Sequence, residues 1–211
     1  MRLCSYGTLI YEYLYSMKAR NTWVLVFIGI VALFLVGLVV SLDIYDFPRY
    51  SIIRGAALFG YLAVFLASLS SFFMRELTRF FGRPFIKLHH IIAVTGLVML
   101  AAHALFNAWY SETLGVFIPR FDSLLHFFEH GGRPALWLIL IASLMALLRT
   151  SIGDYWRLIH RLNYVAFLLA TFHALSLGTD FRYLGMKIIA TIMAAVLVVV
   201  YVLKRTHLTA K

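Results

Sequence analysis

Two apolar segments of this chain carry histidines near both ends, and this spacing constrains the fold more than any other feature. In the first, His89 and His90 are followed by twelve uncharged residues and then by His103. In the second, His160 is followed by twelve residues with a single charge among them, and then by His173. At about 1.5 Å per helical residue, the histidines of each segment would lie roughly 20 Å apart, inside a hydrocarbon layer about 30 Å thick.

The composition predicts an integral membrane protein. The 211 residues are 63% hydrophobic and only 13% charged, which is more apolar surface than a soluble domain of this size can bury. The formal net charge of +10 does not indicate nucleic-acid binding, because the basic residues lie between apolar runs rather than on one basic face or tail. Cys4 is the only cysteine, which excludes an internal disulfide, a cysteine metal cage and an iron–sulfur cluster.

Six apolar runs predict an all-α fold, a six-transmembrane helical bundle. The predicted spans are Trp23–Leu42, Ile52–Phe73, Phe85–Trp109, Pro134–Leu148, Leu158–Leu177 and Leu184–Leu203. Residues 1–22 would form a short cytoplasmic head, 23–203 the bundle and 204–211 a cytoplasmic tail. No small-x-small cleavage site follows the first run, so we expect a retained span rather than a removed signal peptide.

The basic residues predict the orientation of the bundle. With six spans, both termini lie on one side, and thirteen of the 19 Lys and Arg residues fall on that side. The positive-inside rule therefore predicts a multi-pass protein of the inner or plasma membrane with both termini in the cytoplasm. The third and fifth spans then run parallel, which places His89 and His160 near the cytoplasmic face and His103 and His173 near the outer face.

Matched histidine depths on two parallel helices favour two stacked b-type haems between the third and fifth spans. Each haem iron would take one neutral imidazole from each helix. The attachment motif Cys-x-x-Cys-His is absent, so the haems would be non-covalent. The predicted metal ligands are His89, His103, His160 and His173.

Haem propionates are anionic and need cationic partners in a low-dielectric setting. Arg54, at the outer end of the second span, is the candidate for the outer haem. The candidates for the inner haem are Lys87, Arg157, Arg161 and Arg83. Small residues along the two segments would let a flat macrocycle approach the helices; they are Gly96, Ala101, Ala102, Ala166, Ala170 and Ala174.

Helical phase leaves two questions open. At about 100° per residue, a 14-residue step returns to within roughly 40° of the starting face, whereas a 13-residue step misses it by roughly 140°. His160 and His173 therefore need helix curvature, local tightening or differently rotated haem planes. Face matching favours His89 as the inner ligand, whereas symmetry with the fifth span favours His90.

Other interpretations of the same residues exist. A single intramembrane histidine is often a packing or hydrogen-bonding residue. Phe167 lies midway along the fifth span, where an aromatic side chain usually serves helix packing but could also lie between two cofactors. If 123–130 is a short helix, His126 and His130 share a face and could bind a transition metal, although an ordinary polar loop explains them as well.

The alternative function is a proton or metal-ion transporter. Such a protein would require acidic residues at mid-membrane, and all nine Asp and Glu residues lie elsewhere.

These residues resemble a known family. The chain from about residue 50 to 203 looks like the ferric reductase-like transmembrane domain, a group that includes NADPH oxidases, metalloreductases and the haem-b subunit of the bacterial periplasmic methionine sulfoxide reductase system. The matching segments are Trp156-Arg157-Leu158-Ile159-His160-Arg161-Leu162-Asn163-Tyr164, His173-Ala174-Leu175, Gly178-Thr179-Asp180, Lys87-Leu88-His89 with His103, and Arg54-Gly55. The resemblance implies that His89 and His160 bind the inner haem, that His103 and His173 bind the outer haem, and that electrons move outward.

The chain departs from the reductases and oxidases of that family after the sixth span, where only Lys204–Lys211 remain and no Gly-rich nucleotide motif occurs. We therefore expect an electron-transfer subunit that takes electrons from a flavoprotein reductase, a flavin bound at the cytoplasmic face, or a quinol. The acceptor would be a periplasmic redox partner, a metal ion or oxygen. The methionine sulfoxide reductase subunit shares the short end but typically lacks the inner histidine of its third span, so His89 and His90 favour the two-haem reductases.

Overall fold

A computed structural model describes Val31, Phe34 and residues 48–81 and 84–209 of the chain. This part of the protein is helical and contains no β-strand. Its α-helices are α1 (Pro48–Phe72), α2 (Met74–Phe81), α3 (Ile86–Tyr110), α4 (Leu124–Glu129), α5 (Gly132–Leu147), α6 (Arg149–Ile152), α7 (Tyr155–His160), α8 (Leu162–Leu177) and α9 (Leu184–Thr209). Two 3-10 turns, Leu114–Phe117 and Thr179–Arg182, follow α3 and α8.

Among the described residues, four helical segments are long and apolar enough to cross a membrane. They are Ser51–Phe72, Ile86–Tyr110, Tyr155–Leu177, which combines α7 and α8, and Leu184–Leu203. Each lies within a few residues of the predicted second, third, fifth and sixth spans. The prediction of an all-α, multi-pass protein in a lipid bilayer is therefore confirmed at this level.

The first and fourth predicted spans are not among these four segments. The fourth corresponds to α5, whose 16 residues reach about 24 Å and so fall short of a hydrocarbon core about 30 Å thick. The first lies outside the described residues except for Val31 and Phe34, and Phe34 is fully buried beside Tyr61, with 6.1 Å between ring centroids. The count of six spans stays a prediction.

The bundle is built from two closely packed pairs of helices. One pair is α1 with α3, where glycines let the backbones approach: a Cβ on Gly60 would lie 2.9 Å from Leu100, and one on Gly96 would lie 3.1 Å from Ala63. The other pair is α5 with the α7–α8 segment. Helix α1 also contacts α8 and α9, whereas α3 and α8 contact each other only marginally in the described residues. The two histidine-bearing helices therefore face each other across a space rather than across a packed interface.

The fifth predicted span is interrupted at Arg161. Its N–H donates to the Leu158 carbonyl (3.3 Å) and its own carbonyl accepts from the Tyr164 N–H (3.0 Å), so hydrogen bonds here span three residues instead of four. Such 3-10 geometry turns about 120° per residue rather than 100°, and three residues of it recover about 60°. This is local tightening of the kind that the 13-residue step between His160 and His173 requires.

Candidate functional site

The two histidines of α3 are anchored to α1. His103 donates from Nδ1 to the Ile53 carbonyl at 3.1 Å. Nδ1 of His89 lies 3.3 Å from Ser70 Oγ, and that hydroxyl donates its own proton to the Ala67 carbonyl at 2.9 Å. Both side chains therefore lie on the α1 side of α3.

The two histidines of the α7–α8 segment are anchored to α5 and to the end of α4. His160 Nδ1 lies 3.1 Å from the Ala142 carbonyl of α5, and His173 Nδ1 lies 2.8 Å from the Glu129 carbonyl just before α5. The amide of Asn163 is a further neighbour of His160 Nδ1, at 3.3 Å. Despite the 13-residue step, His160 and His173 thus both bond to the chain between α4 and α5, His173 at the last residue of α4 and His160 within α5.

These contacts define which ring nitrogen carries the proton. A carbonyl oxygen can only accept, so Nδ1 of His103, His160 and His173 must be the protonated nitrogen. For His89 the Ser70 hydroxyl proton is already directed at a carbonyl, so the hydroxyl oxygen accepts from His89 as well. In each neutral ring Nε2 then keeps its lone pair, which is the arrangement that metal-ligating histidines have when a backbone oxygen orients them.

The four histidines form two pairs, each with one member on α3 and one on α7 or α8. His89 and His160, called here the inner pair, lie within electrostatic reach of each other. His103 and His173, the outer pair, also lie within electrostatic reach of each other and line one cavity. The names inner and outer follow the predicted orientation.

His89 and His90 have different surroundings. His89 is partly buried, with its ring bonded to Ser70 of α1, whereas His90 is exposed, with its ring centroid 5.8 Å from that of His89. The geometry therefore favours His89 as the member of the inner pair.

The outer pair lines a cavity of about 330 Å³ that is bounded by α1, α3, α5 and α8. Its walls are mainly apolar and include the small side chains Ala170 and Ala174, as expected for the approach of a flat ligand. Gly96 instead faces α1, where it serves helix packing. An apolar cavity with a few polar groups is typical of cofactor sites.

A layer of aromatic rings fills the bundle between the two histidine levels. Phe167 is 1% exposed and stacks on Tyr61, with 4.7 Å between centroids and 21° between planes. The ring centroids of Phe65 and Phe167 are 5.9 Å apart. The layer is tied to α8 because the hydroxyls of Tyr61 and Thr171 are 2.8 Å apart and Thr171 donates to the Phe167 carbonyl.

The structure places the predicted propionate partners as follows. Arg54 donates to the buried carboxylate of Asp180 from Nε (2.9 and 3.2 Å to its two oxygens) and from Nη2. At the inner end, Lys87 is exposed and Arg161 is partly buried at the helix interruption. Arg157 pairs with Asp154 on the same turn. Arg83 lies outside the described residues, and the predicted role of each arginine stays a prediction.

Three polar residues at the outer cavity were not singled out as cofactor partners from the sequence. They are Asn107 at the end of α3, His130, and Arg133 in the first turn of α5. Their position in the sequence could have indicated them, because His130 and Arg133 flank Gly131-Gly132 at the depth predicted for His103 and His173.

The outer loop contains the short helix that the sequence suggested, as α4. Ser123 caps it by accepting from the His126 N–H at 3.1 Å. His126 pairs with Asp122, and its ring centroid lies 6.4 Å from that of His130. Within the described residues, no three His, Cys, Asp or Glu side chains converge as a group that could hold a metal ion. An axially ligated haem requires only two.

Comparison of the chain with protein-family models, with curated proteins and with solved structures finds no match.

Proposed function

We propose that this protein carries electrons across a membrane through two b-type haems, one held by His89 and His160 and the other by His103 and His173. The observation that carries the proposal is the common anchoring of all four imidazoles. Each has Nδ1 bonded to an oxygen of a neighbouring helix or turn, and each has Nε2 left to bind a ligand. Helix packing without a ligand does not require four histidines in this arrangement.

The helix anchors would act on the ligands in two ways. They hold each imidazole in the neutral tautomer with the lone pair on Nε2, and they fix the plane of the ring before a metal binds. A bound haem supplies a one-electron couple, whose potential is set by its axial ligands and by the polarity around it. The apolar walls around the outer pair exclude water from this couple.

The separation of the two levels fits a relay. The ligands of one helix lie roughly 20 Å apart along its axis, so two cofactors would cover most of a hydrocarbon layer about 30 Å thick. The aromatic layer of Tyr61, Phe65 and Phe167 lies between the two levels and would exclude water from the space between the cofactors.

The partners and the orientation belong to the same proposal. Six spans with cytoplasmic termini would place the inner pair near a cytoplasmic flavoprotein, a flavin or a membrane quinol as the electron donor. The outer pair would then reduce a periplasmic protein, a metal ion or oxygen. This is the electron path of the ferric reductase-like domains that the sequence resembles.

Absorption spectroscopy of the purified protein tests the proposal. A reduced-minus-oxidised spectrum should show b-type bands, and a pyridine haemochrome assay should give two haems per chain. His89→Ala and His160→Ala should leave the same residual spectrum, whereas His103→Ala and His173→Ala should leave the other one. His90→Ala is the matched control and should keep both haems.

Protein that contains no haem after expression with ample haem supply would contradict the proposal. Loss of a haem in His90→Ala, with both retained in His89→Ala, would overturn the assignment of the inner ligand.

A further inference from the structure

Two basic side chains lie at the end of the outer cavity where α5 begins. Arg133 and His130 line the cavity together with His103 and His173. Arg133 lies within electrostatic reach of His173, so its charge acts on the same space as the proposed haem ligand. The residue is partly buried, and its guanidinium is held in place because Nη1 donates to the Ile118 carbonyl at 3.0 Å.

Among the described residues, no carboxylate balances the charge of Arg133. The ion pairs formed among the described residues are Arg54–Asp180, His126–Asp122 and Arg157–Asp154, and Arg133 belongs to none of them. A second cation, Arg120, acts on it and adds to its positive field. A cation at the edge of an apolar cavity favours an anion beside it.

Arg54, by contrast, already has its anion. Nε and Nη2 of its guanidinium are directed at Asp180, a side chain that is 4% exposed, and Arg54 does not line the cavity. The arginine predicted from the sequence to meet a propionate is therefore tied to a carboxylate of the protein. Arg133, which has no carboxylate partner in the part of the chain that the structure describes, lines the ligand space.

We propose that Arg133 forms a carboxylate-binding end of the outer cavity and holds the propionates of the porphyrin there. This inference rests on the proposed function. A guanidinium presents parallel N–H donors that match a carboxylate, and such charge-assisted bonds are stronger than neutral ones. His130 lines the same end but donates from Nδ1 to the His126 carbonyl at 3.2 Å, so Nε2 of its neutral ring is an acceptor and supplies no donor to a carboxylate. The Asn107 amide at the same cavity supplies a neutral donor.

Esterified porphyrin provides the test, because it keeps the ring and iron but removes both negative charges. Apoprotein of the His160→Ala variant, which retains the outer pair alone, is titrated in detergent with iron protoporphyrin IX and with its dimethyl ester, and the Soret band is followed. The free acid should bind about tenfold to hundredfold more tightly than the ester, as one or two charge-assisted hydrogen bonds imply. In Arg133→Gln this ratio should fall to about one, and in Arg133→Lys part of it should remain.

Two variants serve as controls in the same background. Arg120→Gln removes an exposed positive charge that does not line the cavity, and Arg54→Gln/Asp180→Asn removes the buried ion pair without leaving either charge alone; both should keep the preference for the free acid. A preference that persists in Arg133→Gln, or that disappears in Arg54→Gln/Asp180→Asn, overturns the assignment. Protein that binds neither porphyrin contradicts the proposed function instead.

A second measurement uses the protein with all four histidines, so it does not depend on the folding of the His160 variant. In a redox titration, Arg133→Gln should lower the midpoint potential of one haem and leave the other unchanged, because a nearby cation stabilises the reduced form. Equal shifts of both potentials, or no shift, would contradict a local role for Arg133.

Discussion

Gly132 lies directly against the ring of His173, with no room for a side chain between them. A Cβ placed on Gly132 would be 2.7 Å from Cδ2 and 3.0 Å from Nε2 of His173. Contacts below 3.0 Å require movement, and the backbone of α5 at this point is fixed by the Ala135 N–H donating to the Gly131 carbonyl. The imidazole edge that would bind the outer haem is therefore positioned by the absence of a side chain at residue 132.

Gly132→Ala should displace the His173 ring and cause loss of the outer haem, with the inner haem retained. The residual absorption spectrum should match that of His173→Ala. Gly185→Ala, near the start of α9, is the matched control because a Cβ there meets nothing within 4 Å. Full haem content in Gly132→Ala would show that the cavity tolerates movement of this ring.

The buried pair of Arg54 and Asp180 should behave as a single unit in stability measurements. Asp180→Asn leaves a guanidinium without its anion at a site where both side chains are largely buried, and it should destabilise the fold by about 3–5 kcal/mol. The double variant Arg54→Gln/Asp180→Asn should recover part of that loss, because neither charge is then left alone. Unfolding in detergent, followed by circular dichroism, measures the cycle, and strictly additive losses would contradict coupling between the two residues.

Phe167 should matter for stability more than any exposed aromatic residue on the same helix. Phe167→Ala empties the centre of the ring stack with Tyr61 and Phe65, and we expect a loss of about 3–5 kcal/mol. Phe172→Ala is the matched control, since its side chain is 51% exposed, and its loss should be much smaller. Similar losses for both variants would argue against a packed layer between the two histidine levels.

The loop pair of Asp122 and His126 should lose its contribution to stability only in acid. The side-chain hydrogen bond from His126 holds the pKa of Asp122 below its ordinary value of about 3.9. A carboxyl whose pKa is lower in the folded state stabilises that state above the unfolded pKa, and this contribution is lost as the pH falls through the folded pKa. The carboxyl ¹³C resonance of Asp122 should therefore titrate below its ordinary pKa in the native protein and closer to it in His126→Ala. An identical midpoint in both would rule out the hydrogen bond as the cause.

The sequence alone was sufficient for four of the six predicted membrane-spanning segments, and it predicts the depth of the candidate ligands. Length and hydropathy identify a membrane span because backbone groups in lipid must bond within their own helix, whatever the neighbouring helices are. For the same reason, a histidine at a given position along a span has a depth that follows from helical rise. The predicted second, third, fifth and sixth spans thus agree with the helices to within a few residues.

The choice between His89 and His90 required the tertiary structure. The two residues differ by about 100° around α3 but hardly at all in depth, so only the packing partner distinguishes them. Close packing of α3 on α1, through Gly60 and Gly96, turns His89 towards Ser70 and leaves His90 exposed. The tightening at Arg161 that turns His160 and His173 towards α5 is equally a local backbone event, which an ideal helical repeat does not contain.

The partner of Arg54 and the surroundings of Arg133 were also decided by the tertiary structure alone. Arg54 and Asp180 are 126 residues apart in sequence, and their pairing depends on the turn after α8 folding back onto α1. Arg133 faces the outer cavity because α5 packs against α8 at that level. Hydropathy fixes the depth of a residue along a membrane helix, whereas the side-chain partners depend on helix rotation and adjacency, which arise only from packing.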